Sequence, residues 1–371
     1  MSDYIVSARK YRPNTFDTLV GQMAIAKTLK NAIANDQLAQ AFLFCGSRGV
    51  GKTSTARILA KTINCLDRTD DIEACGKCES CVSFDEGSSL NVYELDAASN
   101  NSVEDIRRLI DQVRIPPQIG KYKVYIIDEV HMLSTSAFNA FLKTLEEPPK
   151  HAIFILATTE KHKIIPTILS RCQIFDFNRI KVLDIADHLS KIAVKEGIDA
   201  ESEALHLIAQ KADGALRDAL SIFDQIVSFT GKTITYKSVI ENLHVLDYDY
   251  FFRLVDFALQ EDIPSSLLLY HEIMDFGFDG HQFLVGLADH YRNLLICKEP
   301  KTIELLEVAE NIKVKFLEQT AKIDAPHILR ALGVISAADS NYKVSKSQRL
   351  LVELTLMQLC SIKKELEKKK D

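Results

Sequence analysis

The stretch Ala41-Phe42-Leu43-Phe44-Cys45-Gly46-Ser47-Arg48-Gly49-Val50-Gly51-Lys52-Thr53-Ser54 decides the fold of this chain. Five consecutive apolar residues predict a strand covered on both faces, as in a parallel sheet. The run breaks into a glycine loop, and Thr55-Ala56-Arg57-Ile58-Leu59-Ala60 resumes as a helix. Strand, loop and helix in that order are the context a phosphate-binding P-loop requires. Gly46, Gly49 and Gly51 let the backbone wrap an anion, and the N–H groups from Val50 to Ser54 point inward at it. Lys52 then reaches the β- and γ-phosphates, and the Thr53 hydroxyl is placed to ligate Mg²⁺. A chance glycine turn accounts for the loop but not for the lysine, hydroxyl and helix that go with it. The expected ligand is ATP with its Mg²⁺.

Val124-Tyr125-Ile126-Ile127 is a second continuous apolar run, and it ends in Asp128-Glu129-Val130-His131. An acidic residue at the carboxyl edge of a central strand can hold Mg²⁺, and a second carboxylate beside it can polarise a water. Two adjacent buried carboxylates repel each other unless a metal or hydrogen bonds compensate, so a purely structural pair is the weaker reading. Asp128 is assigned to the metal side with Thr53, and Glu129 is assigned as general base. The predicted reaction is hydrolysis, because the chain offers a water-activating glutamate and no recognisable acceptor pocket.

With 371 residues, two or three domains are expected. Hydrophobic residues at 47% and charged residues at 26% are ordinary for a globular protein. The net charge of −6 does not advertise a nucleic-acid binder, though a local basic face is compatible with it. No apolar stretch approaches a membrane span, and Met1-Ser2-Asp3-Tyr4-Ile5 lacks the pattern of a secretory signal, so an intracellular chain without a membrane partner is expected. Of eight cysteines, Cys45, Cys172, Cys297 and Cys360 are scattered in apolar or helical contexts, whereas Cys65, Cys75, Cys78 and Cys81 cluster. In an intracellular chain, four closely spaced thiols favour tetrahedral Zn²⁺ over disulfides, and a closed four-thiolate sphere favours a structural role. A thioredoxin-like redox pair is the competing reading, but it lacks the strand-to-helix context such a motif needs.

Strands and helices alternate from the P-loop through Ala152-Ile153-Phe154-Ile155-Leu156-Ala157, which ends in Thr158-Thr159-Glu160. This predicts an α/β parallel-sheet domain over residues 1–177, with a zinc-binding insert at about 64–84. After Asn178 the strands are expected to stop. Helical patterns then run over 178–243 and over 244–365, punctuated by Gly197, Gly214, Pro264, Pro300 and Pro326, before a charged tail at 366–371. Ser170-Arg171-Cys172 and Gly214-Ala215-Leu216-Arg217 each set an arginine among small or apolar neighbours, where it needs an anionic partner or an exposed face.

Taken together, Ala8-Arg9-Lys10-Tyr11-Arg12-Pro13, Phe16 to Gln22, the P-loop, the four cysteines, Leu95-Asp96-Ala97-Ala98-Ser99, Asp128 to His131, Thr158-Thr159-Glu160, Ser170-Arg171-Cys172 and Gly214 to Leu220 resemble the DNA polymerase III gamma/tau family. These are AAA+ ATPases of the bacterial sliding-clamp loader. The resemblance runs from about residue 4 to 360. It implies an AAA+ core, a helical lid and an oligomerising helical collar, in a loader built from copies of the chain with delta and delta-prime subunits. It implies that the loader places the sliding clamp, the beta subunit, on primed DNA, within a polymerase holoenzyme whose nucleotidyl-transfer site lies on another subunit. By the same resemblance, Arg217 is the sensor touching the γ-phosphate in its own chain, Arg171 the finger reaching a neighbour's site, and Thr159, with Thr158 adjacent, the polar sensor. Tyr11, Arg12 and Pro13 line the adenine pocket. A DExH-type nucleic-acid-dependent ATPase or helicase shares Lys52, Thr53 and Asp128 to His131, but it needs a second strand-rich domain after residue 177.

Overall fold

The computed structural model describes residues 5–243, 246–306, 308 and 310–367. Of the charged tail expected at 366–371, residues 368–371 lie outside them. The chain divides into two compact units: residues up to 199 together with 208–228, and residues 200–207 together with those from 229 onward. In chain order the first stretch contains α1 (Ser7–Lys10), α2 (Met23–Ala34), β1 (Ala41–Cys45), α3 (Lys52–Ile63), α4 (Glu79–Asp85), β2 (Val92–Asp96) and α5 (Val103–Val113). It continues with β3 (Lys123–Asp128), α6 (Thr135–Glu146), β4 (Ala152–Thr158), α7 (Pro166–Leu169), β5 (Gln173–Asp176), α8 (Val182–Glu196), β6 (Asp199–Ala200), α9 (Ser202–Lys211) and α10 (Leu216–Thr230).

Strands β1 to β5 form one parallel sheet in the order β2-β3-β4-β1-β5. The unbroken apolar runs of β1, β3 and β4 are explained by burial on both faces, since successive side chains alternate sides. Phe42, Phe44, Ile126 and Ile155 pack on one face with Leu29 of α2 and Ala56 and Leu59 of α3. Leu43, Ile127, Phe154 and Leu156 pack on the other with Ile106 of α5 and Phe138 and Phe141 of α6. Register aligns the carboxyl ends that matter: Cys45 pairs with Thr158, Ile127 with Leu156 and Asp96 with Asp128. Ser102 and Ser134 cap α5 and α6 through their side chains, so the polar residues before Val103 include a plain helix cap.

Two features depart from the sequence expectation. Edge strand β5 adds Gln173–Asp176 to the sheet, where only two apolar residues gave no strand signal. Strands also do not end at Asn178: β6 pairs with β7 (Thr233–Ile234) in a separate two-stranded sheet. These are two-residue pairings, below any periodicity a sequence can display.

The second unit is otherwise helical, with α11 (Tyr236–Leu243), α12 (Tyr248–Leu259), α13 (Ile263–Asp275), α14 (Gly280–Ile296), α15 (Glu310–Thr320), α16 (Ala325–Tyr342) and α17 (Gln348–Glu367). Its core includes Phe251, Val255, Leu269, Ile273, Leu287, Ile335 and Leu356. The prolines read as separators stand in the first turns of α13 and α16 and of the short turn Pro300–Leu305, where a missing N–H is tolerated. Among the described residues no helix is long and apolar enough to cross a membrane.

Candidate nucleotide site

The loop between β1 and α3 is shaped by positive φ at Gly46 (150°), Gly49 (78°) and Gly51 (104°). At Gly46 a side chain is also excluded by space, because a Cβ there would lie 2.5 Å from the Phe177 carbonyl oxygen. Lys52 opens α3 and is buried, its Nζ donating to the carbonyls of Gly46 (2.7 Å) and Ser47 (2.8 Å). Burial pushes its ammonium below the usual lysine range, against the pull of Glu129 and Asp128. At the next residue, Thr53 Oγ1 donates to Asp128 Oδ2 at 2.6 Å. The hydroxyl and carboxylate assigned to Mg²⁺ therefore meet at one spot, and both offer the hard oxygen ligands that ion takes.

Glu129 has φ 47° and ψ 44°, the left-handed region that a residue with a side chain rarely adopts. That turn carries the chain out of β3 and sends the carboxylate along the sheet's edge. Its Oε2 accepts from Thr159 N–H (3.3 Å) and Thr159 Oγ1 (3.0 Å). Thr158 is turned away, with its Oγ1 3.0 Å from His131 Nδ1. Of the two threonines, Thr159 is the one hydrogen-bonded to Glu129.

Arg217 stands in the first turn of α10. A Cβ on Gly49 would come within 3.0 Å of Ala215 Cβ and 3.4 Å of Arg217 Cβ, so this helix start abuts the P-loop. Just before it, Gly214 (φ 78°) lies against Arg179, whose Cβ would be 2.6 Å from a Cβ at 214. Arg12 Nε is 3.3 Å from Ser54 Oγ. Burial first, and then repulsion from Arg57 and from Arg217, hold Arg12 below the usual arginine value, with Glu94 and Asp128 opposing. Three arginines thus share one electrostatic neighbourhood at the start of α3, which favours an anionic ligand. The Tyr11 hydroxyl is tied to Glu196, and Arg12 and Pro13 line a cavity of about 120 Å³ with Arg57, Ile58, Lys61 and Phe84. Arg171 does not join the site within its own chain: it donates to Glu146 (2.6 Å) and to the Thr167 carbonyl (2.6 Å).

The four clustered cysteines come together as expected, with all four Sγ atoms within 4.8 Å of one another and the Cys65 and Cys78 sulfurs 3.9 Å apart. A tetrahedron with zinc–sulfur bonds of about 2.3 Å has edges near 3.8 Å, so the donor set fits that ion. Backbone N–H groups of Cys75 and Cys78 point at the sulfurs of Cys65 and Cys75, each at 3.3 Å, which favours thiolates. Sequence reading missed Glu73, inside the same loop. Its carboxylate accepts from the N–H groups of Phe16 (3.0 Å) and Asp17 (3.1 Å) and pairs with Lys30 (2.8 Å). It also missed the contacts that His131 makes with Thr158 on β4 and Glu160 just beyond it.

Fold and site together define a P-loop protein of the AAA+ class. Residues 21–181 match the family profile described as DNA polymerase III, delta subunit; residues 184–232 match the clamp loader subunit ATPase lid domain; residues 234–371 match domain III of subunits gamma and tau. The chain is 40% identical over 354 residues to DNA polymerase III subunit tau of Bacillus subtilis, covering 95% of this chain and 62% of that one. It is 35% identical over 364 residues to subunit gamma of Buchnera aphidicola subsp. Baizongia pistaciae, covering 97% and 98%, and 37% identical over 355 residues to subunit tau of Escherichia coli, covering 95% and 55%. The chain belongs to the DNA polymerase III gamma/tau family. It spans little more than half of the tau relatives and nearly all of the gamma relative. A Thermotoga maritima RuvB branch migration motor gives a weak structural likeness, with TM-score 0.48 at 18% identity over 67% of this chain and 78% of that one.

Proposed function

We propose that this chain is an ATP-hydrolysing motor subunit of the clamp loader that places the sliding clamp on primed DNA during replication. The observation that carries the reading is the hydrogen-bonded series Thr53, Asp128, Glu129 and Thr159 beside the P-loop lysine. Lys52 and the loop N–H groups bind the triphosphate, and Arg217 reaches the γ-phosphate from α10. Thr53 and Asp128 would hold Mg²⁺, which when bound neutralises charge on the phosphates. Glu129 takes the proton of the attacking water, and Thr159 orients that carboxylate. Tyr11, Arg12 and Pro13 border the adenine end.

The proposed layout is an AAA+ domain over 1–177, a lid over 178–243 and an oligomerising collar over 244–365. The proposed partners are delta, delta-prime, further copies of the chain, the beta clamp and primed DNA, in the cytoplasm at the nucleoid. Cys65, Cys75, Cys78 and Cys81 would hold one structural Zn²⁺. By the same reading, nucleotidyl transfer belongs to another subunit of the holoenzyme. A DExH helicase is disfavoured because only two-residue strands follow β5 in the described residues.

The test is ATP turnover by the chain with delta and delta-prime, with and without clamp and primed DNA. Stimulation by both is expected, and turnover indifferent to them overturns the clamp-loading part. Glu129→Gln should keep nucleotide affinity and lose about 10²-fold or more in turnover, because an amide cannot accept the water's proton. Lys52→Ala should weaken binding itself.

A further inference from the structure

His131 ends the Asp-Glu-Val-His stretch, yet the hydrolytic mechanism gives it no task. Its side chain is only 6% exposed and lies between two carboxylates: Nδ1 is 3.4 Å from Glu129 Oε2, and Nε2 is 3.3 Å from Glu160 Oε1. Nδ1 also meets Thr158 Oγ1 at 3.0 Å, at the fully buried end of β4. The ring is therefore fixed on three sides by groups at the carboxyl ends of β3 and β4. A histidine kept only to fill the core has no need to face two acids. Nor does its burial serve apolar packing, because each ring nitrogen addresses an oxygen.

Glu160 is itself a junction. Beyond His131 it pairs with Lys163 at 2.8 Å and lies 3.6 Å from His162, both exposed on the turn Lys161–Lys163. A continuous polar chain thus runs from Glu129 through His131 and Glu160 to a basic surface turn. Glu129 needs such a hold. Its backbone sits in the left-handed region, and its carboxylate must stay within hydrogen-bond reach of one water.

Resting on the hydrolytic reading above, we propose that His131 is a second positioning residue for Glu129 beside Thr159, fixing the base carboxylate and linking it to Glu160 and the 161–163 turn. The contacts of its ring are with Glu129, Glu160 and Thr158, at the ends of β3 and β4 and outside the P-loop. Its loss should therefore act on turnover and leave nucleotide binding alone.

The experiment measures ATP turnover, affinity for a non-hydrolysable ATP analogue and thermal unfolding for wild type, His131→Ala, His131→Asn and His131→Gln. An asparagine amide overlays Nδ1 and keeps the Thr158 and Glu129 side; a glutamine amide overlays Nε2 and keeps the Glu160 side. His131→Ala is expected to lower kcat by about 10- to 100-fold, the range typical for residues that orient a reactive group, with analogue affinity unchanged. His131→Asn should recover more of kcat than His131→Gln. In a Glu129→Gln background His131→Ala should change nothing further, since there is no base left to position. Unchanged kcat overturns the proposal. So does a loss of affinity and stability in step with kcat across all three variants, or a further loss of turnover in the Glu129→Gln background. If His131→Ala fails to fold, the Asn and Gln variants carry the same comparison. Wild-type turnover separates the two claims: its absence sinks the hydrolytic reading, whereas normal wild-type turnover matched by the variants sinks only the role of His131.

Discussion

Glu129 combines a backbone conformation that opposes folding with a side chain that chemistry requires. A non-glycine residue at φ 47° costs roughly 1–2 kcal/mol relative to glycine in the same place. Thr159 returns part of that through two hydrogen bonds to the carboxylate. Glu129→Gly should therefore unfold at the same temperature as wild type or slightly higher, while hydrolysis is lost. Glu129→Gln keeps the strained backbone and should show no such gain. Thermal unfolding of both variants beside their turnover decides it, and a marked destabilisation of Glu129→Gly would show that the left-handed turn is not strained. Gly46 is the opposite case: glycine is demanded by the Phe177 carbonyl 2.5 Å from where a Cβ would be, so even alanine displaces the loop.

At the scale of elements, the cysteine loop braces the P-loop domain. Glu73 ties it to the segment before α2, Lys61 of α3 donates to both Asp85 oxygens at 2.7 Å, and Arg57 lies 5.1 Å over the Phe84 ring of α4. Each buried N–H left without its acceptor costs about 1–3 kcal/mol. Glu73→Ala should then speed amide exchange at Phe16 and Asp17, and chelating the metal should do the same by releasing the loop that carries Glu73. Metal analysis should find one zinc per chain beforehand. Exchange at Phe16 and Asp17 that ignores both treatments would dissociate the metal loop from the lead-in. The cluster of Cys65, Cys75, Cys78 and Cys81 was legible because their spacing is itself the signal. Glu73 was not, since a lone acid in a polar loop gains meaning only when Phe16 and Lys30 fold onto it. The same holds for the sheet: β1, β3 and β4 announced themselves by burial on both faces, whereas β5, with Phe175 as its one buried residue, exists because β1 offers it an edge. Lys52, Asp128 and Glu129 could be read because P-loop chemistry fixes their residue types. The task of His131 could not, since Thr158 and Glu160, which fix its ring, stand about thirty residues downstream.

At the scale of the whole molecule, two properties reach beyond any single element. Arg171 is held in its own chain by Glu146, a surface pair worth about 1 kcal/mol or less, so a neighbouring chain's phosphates can outcompete it. In assemblies mixing Arg171→Ala chains with Lys52→Ala chains, turnover should return at the intact P-loops if the arginine acts between chains; a mixture as inactive as its parents would return Arg171 to a structural pair. The second property is acid sensitivity. Burial holds His188 in the first unit, and His290 and His327 in the second, below the usual histidine value, His290 down to about 4. His290 is enclosed by the rings of Phe251, Phe252 and Phe316 and bonded through Nε2 to Gln319 at 2.9 Å, so it folds neutral. The unfolded chain binds the proton that the folded one refuses. Stability is thus complete above pH ~6.5 and falls as pH drops from there toward the folded value, by on the order of 3 kcal/mol for His290 alone. Urea unfolding at pH 7.5 and pH 5 should show about 2 kcal/mol of this loss, the rest coming below pH 5, with the second unit the more affected. His290→Gln, whatever its stability at neutral pH, should flatten the slope between those values, and a slope unchanged by that substitution would mean the imidazole is protonated inside the fold.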